Sequence, residues 1–328
     1  MIMTVERAGF LNAVQDLGRL GAREHGVSVG GALDPFALRI ANALVGNDDA
    51  AAGIEITFGA VELRFDDERV IAWIGEDFDV RIGKRKVPAS HATLVAARDK
   101  LTISAPQSPS RAWLAISGGI DVPFVLGSRS TDLRSGFGGL NGRALRDRDR
   151  LQLGTSSRTS RRIVRTLRDR RIGDWTAQSS WVHNRSAHVF LRVTRGSDWS
   201  RFTAEAQTTF RRWTYSVLRD SDRMGARLAG PSLKRARSEE MLSEPVAPGT
   251  IQVPPDGKPI LLLNDCQTIG GYPKIAHVIT VDLGAAARLR PDDVVQFREV
   301  KLEEAHALLL EREQDFERFR LGLNLRFS

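Results

Sequence analysis

Short runs in which apolar and polar residues alternate, or in which several apolar residues follow one another, recur along the chain. They include Val61-Glu62-Leu63-Arg64-Phe65, Val70-Ile71-Ala72-Trp73-Ile74, Leu101-Thr102-Ile103, Trp113-Leu114-Ala115-Ile116, Leu151-Gln152-Leu153, Val189-Phe190-Leu191-Arg192-Val193 and Ile260-Leu261-Leu262-Leu263. Period-two alternation and brief apolar runs bounded by Gly, Pro and Asp are the pattern of strands in barrels or sandwiches. The expected fold class is mostly β with a few short helices. Asp99, Asp149 and Asp293 each stand just before such a strand, which hints at a repeated unit. An Asp there closes a turn through its own side chain and needs no chemistry.

Two helices break the β pattern. The first has Asp34 as N-cap, Pro35 at the first helical position, Leu33 and Leu38 as a hydrophobic staple, and Gly46 past its end. The second runs from about Leu302 to Phe319, with Leu302, Ala305, Leu309, Phe316 and Phe319 on one face. Between Ser156 and Arg171 the chain turns polar, which sets the expected division: residues 1–157 a first β-barrel domain, 158–171 an Arg-rich linker, 172–300 a second β-barrel domain, and 301–328 a C-terminal helix and tail. Strand exchange between the barrels is left open.

A chain of 328 residues, 41% hydrophobic and 27% charged, is long and apolar enough to fold around two cores. Its net charge of +8 rests on Arg, since only seven of the 48 basic residues are Lys. The densest cluster is Arg158, Arg161, Arg162, Arg165, Arg168, Arg170 and Arg171. Without interleaved aromatics it is read as a solvated linker rather than a nucleic-acid surface. The start shows no basic segment leading into an apolar run, and no stretch approaches the roughly 18 apolar residues that span a bilayer. No membrane partner and a cytoplasmic location are expected. The single Cys266 excludes an internal disulfide and fits a reducing compartment. Asn184-Arg185-Ser186 spells a glycosylation acceptor but has no meaning off the secretory route.

Catalytic signatures are few. No phosphate-cradling loop, dinucleotide fingerprint or nucleophile elbow is present. The histidines His25, His91, His183, His188, His277 and His306 lack metal spacing, so no metal and no motif-bound cofactor are expected. Four blocks remain. Gln15-Asp16-Leu17-Gly18-Arg19 combines groups that hold an amide or carboxylate with glycines that open the backbone; a turn closed by Asp16 and Arg19 explains it slightly better. Ser117-Gly118-Gly119-Ile120-Asp121, Gly127-Ser128-Arg129-Ser130-Thr131 and Gly142-Arg143 make either an anion pocket or a set of β-turns. Ser221-Asp222-Arg223-Met224-Gly225 is the third. The fourth, Asp265-Cys266-Gln267-Thr268-Ile269-Gly270-Gly271-Tyr272-Pro273-Lys274, follows a strand and mixes amide-binding, anion-binding and oxyanion-stabilising groups. Expected catalytic residues are Asp265, Gln267, Lys274 and Asp222. Substrate contacts are expected from Gln15, Asp16, Arg19, Ser128, Arg129, Arg143, Arg223, Thr268, Gly270, Gly271 and Tyr272. Lys274 and Arg129 would meet an anion, Asp265 and Gln267 an amide, and the Gly270-Gly271 backbone a developing oxyanion. Cys266, with no base near it in sequence, reads better as a buried thiol than as a nucleophile.

At these blocks, and at Gly31-Ala32-Leu33-Asp34, Ala41-Asn42-Ala43-Leu44-Val45-Gly46-Asn47, Ile54-Glu55-Ile56-Thr57 and Gly249-Thr250-Ile251-Gln252-Val253-Pro254, the sequence resembles the biotin-dependent carboxyltransferase family, also called allophanate hydrolase subunit 2 or the C-type subunit of 5-oxoprolinase. The likeness reaches to about Phe297. It departs at Ser243-Glu244-Pro245-Val246, where the family has Ser-Glu-Gly-Val, at Cys266, where a larger polar residue is common, and at Ala226, where Tyr is frequent. The resemblance implies two cyclophilin-like β-barrels and an active site shared with a subunit-1-type partner. It implies a third oxoprolinase subunit and a complex that uses ATP to open the lactam of 5-oxoproline to glutamate. The alternatives it implies are carboxyl transfer from carboxybiotin on a separate carrier to urea or a related amide, and a regulatory protein that sequesters its partner. A small amide or lactam is the expected substrate in either enzymatic case; assembly of several copies of this chain is left open.

Overall fold

The computed structural model describes residues 1–104, 110–182, 186–237 and 241–328. His183 and the Asn184-Arg185 part of the glycosylation motif lie outside them. Two compact units emerge: Met1–Gly18, Pro35–Asn184 and Phe316–Ser328 form the first, Arg19–Asp34 and Arg185–Asp315 the second.

In the first unit the strands make two six-stranded sheets. Ile2–Arg7, Val61–Phe65, Asp79–Ile82 and Lys100–Ser104 belong to one; Leu11–Gln15, Gly53–Thr57, Arg69–Gly75, His91–Val95 and Arg111–Ile116 belong to the other. The alternation seen in the sequence is the burial alternation of the strands: Val61, Leu63 and Phe65 are buried while Arg64 is exposed. Met3, Val5, Ile54, Leu63, Phe65, Ile71, Leu101, Leu114 and Leu151 join one core between the sheets, and burial of that apolar area is the main stabilising term. The first unit is thus a two-sheet body rather than a single closed ladder.

The second unit does close. His188–Arg195, Lys274–Val278, Thr250–Gln252, Ile260–Leu262, Gly225–Ala229, Thr214–Val217 and Val294–Glu299 form a seven-stranded barrel. Its first and last strands pair in parallel, in a register that runs from His188↔Val294 to Val193↔Glu299. Phe210 and Phe297 stack in its interior at 4.7 Å.

The three expected Asp turns share one geometry. Asp99, Asp149 and Asp293 each accept the N–H three residues earlier, from Ala96 (3.1 Å), Arg146 (2.7 Å) and Arg290 (2.9 Å). Arg143 adds a two-pronged ion pair to Asp149, at 2.7 and 2.8 Å. Chiefly through that pair, the Asp149 carboxyl is held below its ordinary range, against the opposing effect of burial. A depressed folded-state pKa gives stability that is complete above the unfolded value of about 4 and is lost as pH falls through the folded value. Asp149→Asn is therefore expected to flatten the acid side of the stability curve in urea titrations below about pH 4. An unchanged acid side would contradict the assignment.

Three boundaries differ from the sequence reading. The Arg-rich stretch is a helix, Arg158–Arg170, in which the Ser157 side chain accepts the Ser160 N–H. Ser160, Ile163 and Leu167 form its buried stripe, and the arginines keep their charges outside it. Ile172–Thr176 pairs with His91–Val95 of the first unit, so the first unit continues past residue 172. The last helix spans Leu302–Arg326, longer than its apolar face indicates. Its end belongs to the first unit, where Phe316 meets Phe36 at 5.4 Å and Phe327 meets Trp175 at 5.0 Å. The helix at Pro35–Leu44 begins at the expected Pro, and the Asp34 carboxylate receives the Arg288 guanidinium at 2.7 Å. Among the described residues, no helix is long and apolar enough to cross a membrane.

Candidate functional site

Of the candidate residues, Gln15, Asp16, Ser128, Arg129 and Arg143 lie in the first unit. Asp16 is buried, and its carboxylate takes Ser128 Oγ at 2.6 Å, the Arg129 N–H at 2.6 Å, the Gly18 N–H at 2.8 Å and Ser130 Oγ. That saturates it as a clamp between the strand end at Gln15 and the Ser128–Thr131 turn. Gln15 Nε2 donates to the Thr131 carbonyl at 3.1 Å. Removing a buried acceptor strands its donors. Asp16→Ala is expected to cost about 3 kcal/mol of unfolding free energy in urea titration; a loss under about 0.5 kcal/mol would contradict the clamp. The anion contact expected of Arg129 is already taken: its guanidinium donates to the Val122 carbonyl (2.8 Å) and Asp121 (2.6 Å) and lies 4.1 Å from the Phe124 ring centre. Arg143 is likewise committed, to Asp149. A short-range acid beside each arginine holds it in place.

The second unit gathers the rest. Arg223 grips Asp265 through two bonds, 2.7 and 3.0 Å, and donates to the Gly31 carbonyl at 2.6 Å. Asn264 donates to the Ala32 carbonyl at 2.7 Å and accepts the Gly30 N–H at 3.0 Å. The Arg19–Asp34 segment is thereby stitched to the turn after Ile260–Leu262. Arg19 is fully buried. Gly30 sits at φ +60°, a backbone conformation that residues with a side chain rarely adopt, and a Cβ there would stand 3.3 Å from Arg19 Nη1. Asp222 Oδ1 accepts the Met224 and Gly225 N–H groups at 2.8 and 3.2 Å, which closes the turn into Gly225–Ala229.

Beyond Asp265 the chain runs to Lys274. The Lys274 side chain is only 7% exposed, yet that of its ion-pair partner Glu244 is 53% exposed, so a buried lysine is paired with a carboxylate that solvent or a ligand can reach. Glu244 stands on a two-residue ribbon, paired with Gly270, while Pro245 pairs with Ile269. Gly270 thus stands in that ladder, opposite Glu244. The Lys274 pairing holds the Glu244 carboxyl below its ordinary range. Behind them, Asp198 accepts the Lys274 N–H at 3.0 Å. His277 Nδ1 lies 3.2 Å from Thr250 Oγ1, and burial first, then Lys274, lowers its pKa, which keeps the ring neutral at pH 7. Gln252 links Gln267 (3.4 Å) to the Tyr272 carbonyl (3.2 Å). Tyr272 is partly exposed, and the Thr268 carbonyl accepts the Val246 N–H at 3.0 Å. Lys274 thus sets a cation close to a neutral imidazole, a pairing whose chemistry suits a carbonyl or carboxylate.

Sequence pattern assigns no site role to Glu244, His277, Gln252, Asp198 or Asn264. The signals near them are the departure at Ser243-Glu244-Pro245-Val246, the Gly249–Pro254 block that holds Gln252, and the Asp265–Lys274 block that follows Asn264. Cys266 is buried, and desolvation pushes its thiol up to about 11 despite a hydrogen bond from Arg23. Iodoacetamide at pH 8 is expected to label it about a hundredfold more slowly in the folded than in the unfolded chain; equal rates would show an exposed or activated thiol. Among the described residues, no three His, Cys, Asp or Glu side chains are grouped to hold a metal.

A family model described as carboxyltransferase domain, subdomain A and B, matches residues 25–299. The C-type subunit of the Escherichia coli 5-oxoprolinase is 40% identical over 97% of this chain and 96% of its own length. That of Haemophilus influenzae is 35% identical over 90% of each chain. The crystal structure of Kluyveromyces lactis urea carboxylase superposes on 97% of this chain, with TM-score 0.87 and 30% identity, using 29% of its own length.

Proposed function

Since the chain belongs to the family of carboxyltransferase domains, subdomains A and B, we propose that it is the C-type subunit of a multi-subunit, ATP-consuming 5-oxoprolinase that converts 5-oxoproline to glutamate in the cytoplasm. The observation that carries this reading is the 40% identity to the corresponding Escherichia coli 5-oxoprolinase component across nearly the full length of both chains. The geometry supports it: 5-oxoproline carries a carboxylate and a lactam carbonyl. Lys274 suits the first, displacing Glu244, and the neutral His277 with Gln267 suits the second. The reaction completes in a site shared with a subunit-1-type partner, together with a third subunit.

One observation favours a second reading, carboxyl transfer from carboxybiotin to urea or a related amide: the 0.87 TM-score against a urea carboxylase. The two readings separate when the assembled complex is given either 5-oxoproline with ATP or urea with a carboxylated biotin carrier. Glutamate release in the first arm and silence in the second are expected. Carboxylation of urea without glutamate release would overturn the oxoprolinase reading in favour of the transferase.

A further inference from the structure

The Arg158–Arg170 helix of the first unit carries charge that its own packing does not use. Ser160, Ile163 and Leu167 are its buried side, and it lies against the strands Arg69–Gly75, His91–Val95 and Ile172–Thr176. Ser157 Oγ and Ser160 Oγ fix its start by donating to the Gly46 and Val45 carbonyls at 2.6 and 2.7 Å. On the outward side Arg158, Arg161, Arg165 and Arg168 are all exposed. Each stands three or four residues from the next, which sets them in one row along the helix. At a rise of about 1.5 Å per residue the row is about 15 Å long. Among the described residues no carboxylate pairs with Arg158, Arg161 or Arg165, and Arg161 donates to the Ser156 carbonyl alone.

For the chain by itself this row is unfavourable. Like charges at that spacing repel, and cations at the start of a helix oppose its dipole; no acid stands in the first turn to offset them. A local choice that works against its own helix, repeated along one face, marks a surface kept for something other than stability. The far end of the row shows what its arginines take: Arg168 pairs with Glu68 at 3.0 Å, and beside it Arg170 pairs with Asp174 at 2.9 Å. We propose that the row is a docking surface for an acidic segment of a partner protein, whose carboxylates meet Arg158, Arg161 and Arg165 as Glu68 meets Arg168. Charge complementarity selects this occupant, since each guanidinium offers paired donors that match a carboxylate. Without interleaved aromatics the row lacks the stacking groups of a single-stranded nucleic-acid surface. The surface does not depend on the oxoprolinase reading, because binding is measured on this chain alone.

The test is fluorescence anisotropy of a labelled oligoglutamate peptide, and of a single-stranded RNA oligomer, titrated with the purified full chain. The titrations are repeated with Arg158→Glu/Arg161→Glu/Arg165→Glu and with a control, Lys84→Glu/Arg85→Glu/Lys86→Glu, which reverses as many exposed charges elsewhere on the same unit. The peptide is expected to bind, to be weakened about tenfold or more by the helix variant and no more than about twofold by the control, and to be released as salt rises. The helix variant is expected to melt no lower than the parent, because its acids now favour the helix dipole; if it does melt early, Arg158→Gln/Arg161→Gln is read in the same way. Absence of saturable peptide binding up to about 1 mM overturns the proposal. Equal losses in the helix variant and the control also overturn it, by showing attraction to net charge alone. RNA binding that the helix variant abolishes while peptide binding stays in place overturns it in favour of a nucleic-acid surface.

Discussion

Lys274→Ala is expected to lower kcat/KM of the assembled enzyme for 5-oxoproline by about a hundredfold, while the chain itself stays folded. The loss corresponds to a charge-assisted contact with the substrate carboxylate, about 3 kcal/mol. Stability is spared because the partner left behind, Glu244, is 53% exposed and rehydrates. Glu244→Gln gives the complementary result: with its competing carboxylate removed, Lys274 is open to ligand and KM falls or holds. A drop under about tenfold for Lys274→Ala would remove Lys274 from the substrate site. So would a loss of activity traceable to unfolding.

The largest stability effect is expected at Arg223. Its side chain is 10% exposed, and its guanidinium is paired twice with Asp265 and donates to the Gly31 carbonyl. Arg223→Met leaves Asp265 without that guanidinium and the Gly31 carbonyl without its donor, at a cost of about 3 to 5 kcal/mol. Loosening of the Arg19–Asp34 segment should appear as faster amide hydrogen exchange there, ahead of the barrel strands. Uniform exchange across the chain would show instead that the pair holds the whole unit. Double replacement of Arg223 and Asp265 with apolar residues should recover part of the loss, since both buried charges go together.

How far these features were legible depended on how local their causes are. The helix from Pro35 was legible because a Pro start, a staple and a terminal Gly lie within a dozen positions. The Arg158–Arg170 helix was not, because two buried apolar residues, Ile163 and Leu167, carry its packing among many arginines. Strands were legible from alternation, but their partners were not: the barrel closes by pairing His188 with Val294, a contact that no local pattern encodes. The site divides in the same way. Lys274 and Asp265 were singled out from residue type near a Gly-Gly turn, and the fold gives each an ion-pair partner, Glu244 and Arg223. Glu244, 30 positions from Lys274, emerges only through the fold. Asp16, Arg129, Arg143 and Asp222 have the chemistry of a binding site, and within this chain their partners are the groups of turns and clamps. Composition cannot distinguish a carboxylate that meets a substrate from one that meets its own backbone.

The central claim is that the chain is an indispensable subunit of a 5-oxoproline-cleaving enzyme. The direct measurement is 5-oxoproline-dependent ATP hydrolysis and glutamate release by this chain combined with the proposed partner subunits, and by the same mixture with this chain omitted. The account predicts turnover in the complete mixture and its loss on omission. Full turnover without this chain, or none in a stable complete complex, would contradict it.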